Sequence, residues 1–125
     1  MHRSRLWGMV IDCNDMKAGT RFWSGALGTQ AGSQDGAYVW LEPTPGGLRI
    51  VLQEVPERKT AKSRLHIDIE TDDIEAEVRR LEALGAHREA QVEKWWVMED
   101  PCGNEFCVIP IQGGDFPAHA LGWDE

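Results

Sequence analysis

Between residues 72 and 85, Ile74, Val78, Leu81 and Leu84 recur every three or four positions, the spacing that lines one side of a helix. Asp72 stands where a cap belongs, with Glu75 three residues on, and Gly85 supplies the stop. Glu75 and Arg79 fall four apart on the side left to solvent. The stretch 14–28 has the same build: Asn14 or Asp15 as cap, Met16, Phe22, Trp23, Ala26 and Leu27 as the apolar side, and Gly28 as the stop. Elsewhere the period changes to two. In 65–70, Leu65, Ile67 and Ile69 point one way and His66, Asp68 and Glu70 the other, and 6–12 is a second short strand. Residues 37–42 and 48–55 flank the turn cluster Pro43-Thr44-Pro45-Gly46-Gly47, and 95–99 and 105–111 flank Pro101-Cys102-Gly103-Asn104; each pair predicts a hairpin. Weaker strands are expected at 29–33 and 87–92, and the polar, basic run 58–64 predicts a linker.

The order strand, Asp-started helix ending in Leu-Gly, weak strand, hairpin occurs twice. Asp15 recurs as Asp73, and Glu42-Pro43 as Asp100-Pro101, both at an offset of 58 residues. Leu27-Gly28 answers Leu84-Gly85, and the apolar strand closing on Pro56 answers the one closing on Pro110. A repeat of this length is a duplicated βαβββ unit, and one such unit alone leaves a sheet face and its edges uncovered. The expectation is a single domain over 1–125, with module one at 1–57, the linker at 58–64, module two at 65–111 and a C-terminal tail at 112–125.

Composition removes several functions. Asp and Glu number 21 against 13 Lys and Arg, a net charge of −8, the wrong sign for a general nucleic-acid binder or for an anionic membrane surface. The longest apolar runs, 6–11 and 106–111, fall far short of the roughly 20 residues of a membrane helix. The apolar stretch behind Met1 to Arg5 stops at Asp12, too soon for a secretory leader, so the expected compartment is the cytoplasm. The three cysteines, Cys13, Cys102 and Cys107, are odd in number and form no C-x-x-C pair, which argues for reduced thiols and against a zinc knuckle. The compositional outlier is Trp, with six residues, a side chain that packs cores and also lines pockets and interfaces.

Arg64-Leu65-His66-Ile67-Asp68-Ile69 followed by Asp72-Asp73, then Leu84-Gly85-Ala86, then Glu99-Asp100-Pro101-Cys102-Gly103-Asn104-Glu105-Phe106, all within a doubled βαβββ pattern, resemble the vicinal oxygen chelate superfamily. This group holds glyoxalase I, extradiol dioxygenases, fosfomycin-resistance transferases and bleomycin-resistance proteins. The resemblance is greatest to its small glyoxalase-like domains and spans about residues 6–111. It implies an α+β fold: two βαβββ modules forming an open, curved eight-stranded mixed sheet, with helices on the outer face and a ligand cleft on the inner one. Enzymes of the group hold a metal on four inward strand positions, commonly His or Gln, Glu, His and Glu. Those positions fall here on Gly8, Gln53, His66 and Cys107. Gly8 supplies no donor and Gln53 no charge, so the metal site is degenerate and no cofactor is expected. Were a divalent ion to bind, the His, Cys and Gln set would select zinc over magnesium or manganese.

The resemblance places His66, Asp68, Gln53 and Cys107 in the cleft. His66 and Asp68 are the candidate catalytic residues, with Asp68 open either to base chemistry or to a merely orienting part. Trp40 and Trp96 are the expected aromatic walls, with Tyr38 and Trp95 next, because a slip of one residue moves every ring to the other face. Cys102 is expected exposed in its turn, Cys13 as a small buried residue, and His2, His87 and His119 on the surface. Three functions stay open: a small-molecule-binding protein taking an oxygenated, possibly aromatic, metabolite; a metal-dependent lyase, isomerase or dioxygenase-like enzyme; and a vestigial cleft serving as a partner-binding domain. The missing carboxylates favour the first over the second, and the Trp content favours a ligand over the third. The resemblance and the Trp content also point to a homodimer.

Overall fold

Aspartate caps and glycine stops set the two long helices. In the computed structural model, which describes residues 1–124, the chain runs β1 (Met9–Cys13), α1 (Met16–Leu27), β2 (Ala31–Asp35), β3 (Tyr38–Leu41), β4 (Ile50–Glu54), β5 (Ile67–Thr71), α2 (Ile74–Ala83), β6 (His87–Val92), β7 (Trp95–Glu99), β8 (Glu105–Pro110) and α3 (Phe116–His119). Glu125, the end of the expected tail, lies outside the described residues. Asp15 opens α1 from an extended conformation, its carboxylate accepting from Ala18 N at 3.1 Å, and Gly28 ends it at φ 66°. Asp73 caps α2 in place of Asp72: it is the last extended residue, so its carboxylate is the one in reach of Ala76 N, at 3.0 Å. Only glycine takes the φ of 115° at Gly85 without strain.

The duplicated α+β pattern is present. Each unit forms a four-stranded mixed sheet, ordered β1-β4-β3-β2 in the first and β5-β8-β7-β6 in the second, with β1–β4 and β5–β8 parallel and the other pairs antiparallel. The eight expected strands are thus shared between two open hydrogen-bonded sheets. Leu6, Trp7 and Gly8 fall outside β1, because β4 offers a parallel partner only to Met9 and the residues after it. The short α3 has no counterpart in the sequence reading; it carries a Pro near its start but no side-chain cap.

Both units feed one apolar core. Phe22 and Trp23 of α1 and Val78 and Leu81 of α2 pack with Val39, Leu41, Ile50 and Leu52 of the first sheet and with Met98, Phe106 and Val108 of the second. The rings of Phe22 and Trp23 each sit 5.5 Å from that of Phe106, so the helix of module one rests on the central strand of module two. Such ring pairs add about 0.5–1.5 kcal/mol each beyond their buried area.

Two polar joints cross the seam. Asp100, fully buried, accepts from Trp23 Nε1, Cys102 N and Asn104 N, each at 2.8 Å, and from Asn104 Nδ2 at 2.9 Å. The same Asn104 amide donates to Asp12 O at 2.9 Å. At the other end of the helices, Arg80 holds Glu77 at 2.7 and 2.9 Å and donates to the last-turn carbonyls of α1, Gly25 O and Ala26 O, at 3.0 Å. Trp123 of the tail stacks on this guanidinium, 3.8 Å from ring centre to carbon. Residues 58–64 form no helix or strand, and their Lys59 and Ser63 bind the Glu105 carboxylate at 3.0 and 2.9 Å.

Candidate functional site

Alternation decides which side chains the helices leave free. Ile67 and Ile69 of β5 pack toward the core, so His66 and Asp68 stand on the other side. His66 precedes the first paired residue of β5, and its Nε2 lies 3.2 Å from Asp68 Oδ1, both side chains half-exposed. Asp68 is the register partner of Cys107 on β8. Phe106 and Val108 are core residues, which turns Cys107 between them onto the same open side as Asp68. One donor atom from each of His66, Asp68 and Cys107 falls within 4.8 Å of the others. Burial, and after it the Asp68 charge, push the Cys107 thiol up, so at neutral pH it is protonated. The three together offer a proton donor, a proton acceptor and a soft sulfur at one place.

The first sheet presents a second group. Gln53 Nε2 donates to the hydroxyl of Tyr38, its register partner, at 3.3 Å. Trp40 lies two residues along on the same face, and Trp7 meets it edge-on with ring centres 5.3 Å apart. Arg49 sits 5.5 Å from the Trp7 ring centre. Tyr38, Trp40 and Trp7 each keep about two-fifths of their surface exposed, at 41, 42 and 41%. The sequence pattern puts Trp7 inside a strand over 6–12 with no part in the site; it precedes β1, which begins at Met9, so no strand alternation fixes its direction.

Of the expected cleft residues, the structure gathers His66, Asp68 and Cys107 on one sheet and Gln53 and Trp40, with Tyr38, on the other. Among the described residues no hydrogen bond or ring contact joins the two groups. Trp96 stands on the opposite face. It pairs across β7–β8 with core residue Val108, packs against the core, and carries the Arg88 guanidinium 4.9 Å from its ring centre. Val97 pairs with Cys107, so the two-residue period gives Trp95, not Trp96, to the side of His66 and Asp68. His119 pairs loosely with Asp115 on the tail, at 3.9 Å.

Of the four positions the resemblance assigns to a metal, the first, Gly8, is closed sterically as well as chemically. A Cβ on Gly8 would lie 2.6 Å from the backbone oxygen of Arg49, so no ligating side chain stands there unless the backbone moves. Gln53 donates its Nε2 to the Tyr38 hydroxyl, and its Oε1, the atom a metal would take, brings no charge. The remaining set fits a hard ion such as Mn(II) poorly, with a single carboxylate among its donors. It fits a zinc-class ion, which His66, Asp68 and Cys107 would hold with a fourth position free, provided Cys107 gives up its proton. Calorimetry at pH 7 should therefore find zinc no tighter than about micromolar, ~8 kcal/mol. Gly8→His should leave that affinity unchanged while lowering stability, whereas a gain in affinity would show that the position is open.

Comparison with known proteins follows the same lines. The sequence profile described as "Glyoxalase-like domain" matches residues 8–109. No curated protein matches the sequence. Among solved structures, a mutant of the fosfomycin resistance protein FosX from Listeria monocytogenes, complexed with Mn(II) and 1S,2S-dihydroxypropylphosphonic acid, superposes with a TM-score of 0.70 at 15% identity, covering 86% of this chain and 90% of that one. FosX from Mesorhizobium loti gives 0.71 at 15% identity, covering 94% and 99%. A glyoxalase/bleomycin resistance protein/dioxygenase family enzyme from Burkholderia phytofirmans gives 0.66 at 18% identity, covering 84% and 97%. At these identities the likeness is one of fold.

Proposed function

Because the chain belongs to the glyoxalase-like domain family, we propose that it is a small-molecule-binding protein whose open sheet faces take an oxygen-bearing, flat metabolite. The observation that carries this reading is the trio His66, Asp68 and Cys107 gathered on the face the helices leave free. The thiol can donate to a ligand oxygen, the Asp68 carboxylate holds His66 in orientation through Nε2, and the other ring nitrogen is left to meet the ligand. Tyr38 and Trp40 of β3, with Gln53 of β4, supply ring faces and an amide for a planar portion. On this reading modules 1–57 and 65–111, joined by 58–64, form one cytoplasmic domain, and two copies associate through exposed aromatic surface such as Trp7.

A second reading is an enzyme of the lyase or isomerase kind, favoured by the fit of the same trio to a zinc-class ion. Such an ion would polarise paired oxygens of a substrate. His66, Asp68 and Cys107 would then hold it.

Native mass spectrometry of protein purified without added metal tests both. The binding reading expects a dimer carrying a small organic molecule and no stoichiometric metal. That molecule, returned to the emptied protein, should quench Trp fluorescence saturably, and His66→Ala should abolish the quenching while circular dichroism stays unchanged. Quenching that survives His66→Ala would remove the trio from the site. A stoichiometric ion lost in the same variant would favour the enzyme reading instead.

A further inference from the structure

Two sulfurs meet in the seam between the units, away from the face just described. Gly19, at the end of the first turn of α1, has no side chain, and a Cβ there would lie 2.6 Å from Cys13 Sγ and 4.0 Å from Cys102 Sγ. Both thiols therefore close on the space that glycine leaves. Cys13 ends β1 in the first unit, and Cys102 sits in the turn between β7 and β8 in the second. The turn is already anchored there, since Cys102 N and Asn104 N both bind Asp100 Oδ1 at 2.8 Å and the Cys102 thiol lies 3.5 Å from Asp15 O.

The two thiols differ in access. Cys13 is fully buried. Burial first, and then Cys102, Asp100 and Asp12, push its thiol far up, so it stays protonated. Cys102 is half-buried and lines a cavity of about 270 Å³ with Asp12, Asn14, Arg58, Lys59 and Asn104. A small reagent entering that cavity reaches Cys102 and not Cys13.

We propose that Cys102 and Cys13 are a peroxide-responsive pair, in which Cys102 is oxidised through the cavity and Cys13 resolves it to a disulfide that ties the two units together. In the first step the Cys102 sulfur attacks a hydroperoxide: an S–O bond forms, the O–O bond breaks, and sulfur, oxidised by two electrons, becomes a sulfenic acid as water or an alcohol leaves. In the second step the Cys13 sulfur attacks the sulfenic sulfur. An S–S bond forms, the S–O bond breaks, and the departing hydroxide takes the Cys13 proton and leaves as water. A dithiol reverses the sequence, returning both thiols. The bond closes a loop containing most of the chain, the case in which a cross-link restricts the unfolded state most. It does so where Trp23, Asp100, Asn104 and Asp12 already join the units. Cys107, on the open face of the second sheet, lies away from this seam and takes no part.

The test is to treat the whole protein with stoichiometric hydrogen peroxide, alkylate the remaining thiols, and map peptides without reduction. The expected product has lost two hydrogen atoms, carries a Cys13–Cys102 cross-linked peptide with Cys107 still alkylated, and reverts with dithiothreitol. Cys102 should lose its thiol roughly ten-fold faster than Cys107. The thermal midpoint should rise on oxidation and fall back on reduction. Cys102→Ser, a change in a surface turn, should abolish the cross-link and the shift in midpoint together, and Cys13→Ala should leave Cys102 trapped by dimedone as the sulfenic acid. Oxidation of Cys107 first, a cross-link between two copies through Cys102, or Cys102 carried to the sulfinic acid with Cys13 untouched would each overturn the proposal.

Discussion

Asp100→Ala should destabilise the protein by about 3–5 kcal/mol, the effect of stripping a buried hydrogen-bond centre of its acceptor. The carboxylate is fully buried and takes four hydrogen bonds, from Trp23 Nε1, Cys102 N, Asn104 N and Asn104 Nδ2. Alanine leaves those donors facing a void, and each donor that water cannot reach costs about 1–3 kcal/mol. The donors come from α1 and from the β7–β8 turn, so the loss loosens the seam and not only the turn. Asp100→Asn should cost less, about 2 kcal/mol, because the amide keeps one acceptor oxygen while turning an NH₂ toward donors. Trp23→Phe should cost least of the three, about 1–2 kcal/mol, since it removes one donor and keeps most of the ring. Urea unfolding with a constant slope reads the order directly. An Asp100→Ala protein within about 1 kcal/mol of the parent would mean that water replaces the carboxylate freely and that the seam does not depend on it.

The same residue shows what a sequence discloses and what it withholds. Asp-Pro-x-Gly-Asn reads as a turn from local chemistry alone, because Pro and Gly restrict the backbone there. That its aspartate is buried and grips a tryptophan 77 residues away is a property of packing, with no local signal. The helices were legible for the opposite reason: Asp15, Gly28 and Gly85 act within one turn of their own positions. In α2 two adjacent aspartates compete, and only the backbone angle of Asp73 selects the cap. Strand direction gave the mixed result. The alternation around His66 and Asp68 reads cleanly because Ile67 and Ile69 separate them. Trp95 and Trp96 are identical neighbours, so pattern alone could not say which turns inward, and the register with Val108 decides it. The closed position at Gly8 depends on the Arg49 carbonyl, a neighbour across the parallel pair. The division of eight strands into two sheets depends on which edges pair, and edges carry no distinct sequence mark.

Arg80→Ala should cost about 2–4 kcal/mol, because one guanidinium satisfies three partners that nothing else can serve. Its side chain is 18% exposed and that of Glu77 only 8%, so truncating the arginine leaves a nearly buried carboxylate without its charge partner. It also strips the carbonyls of Gly25 and Ala26, which carry the negative end of the α1 dipole. Lysine should recover less than half of the loss. An ammonium can reach Glu77 or the helix end but cannot bridge both from one plane, and it offers no flat face to Trp123. Glu77→Gln removes the stranded charge, so the Glu77→Gln, Arg80→Ala double variant should be more stable than the sum of the single losses predicts. Trp123→Ala should cost only about 0.5–1 kcal/mol, the range of an exposed cation–π contact, because the tail covers the arginine but does not hold it. Equal losses for Arg80→Ala and Trp123→Ala would reverse that order and make the tail, rather than the link to the α1 carbonyls, the element that stabilises this end of the helices.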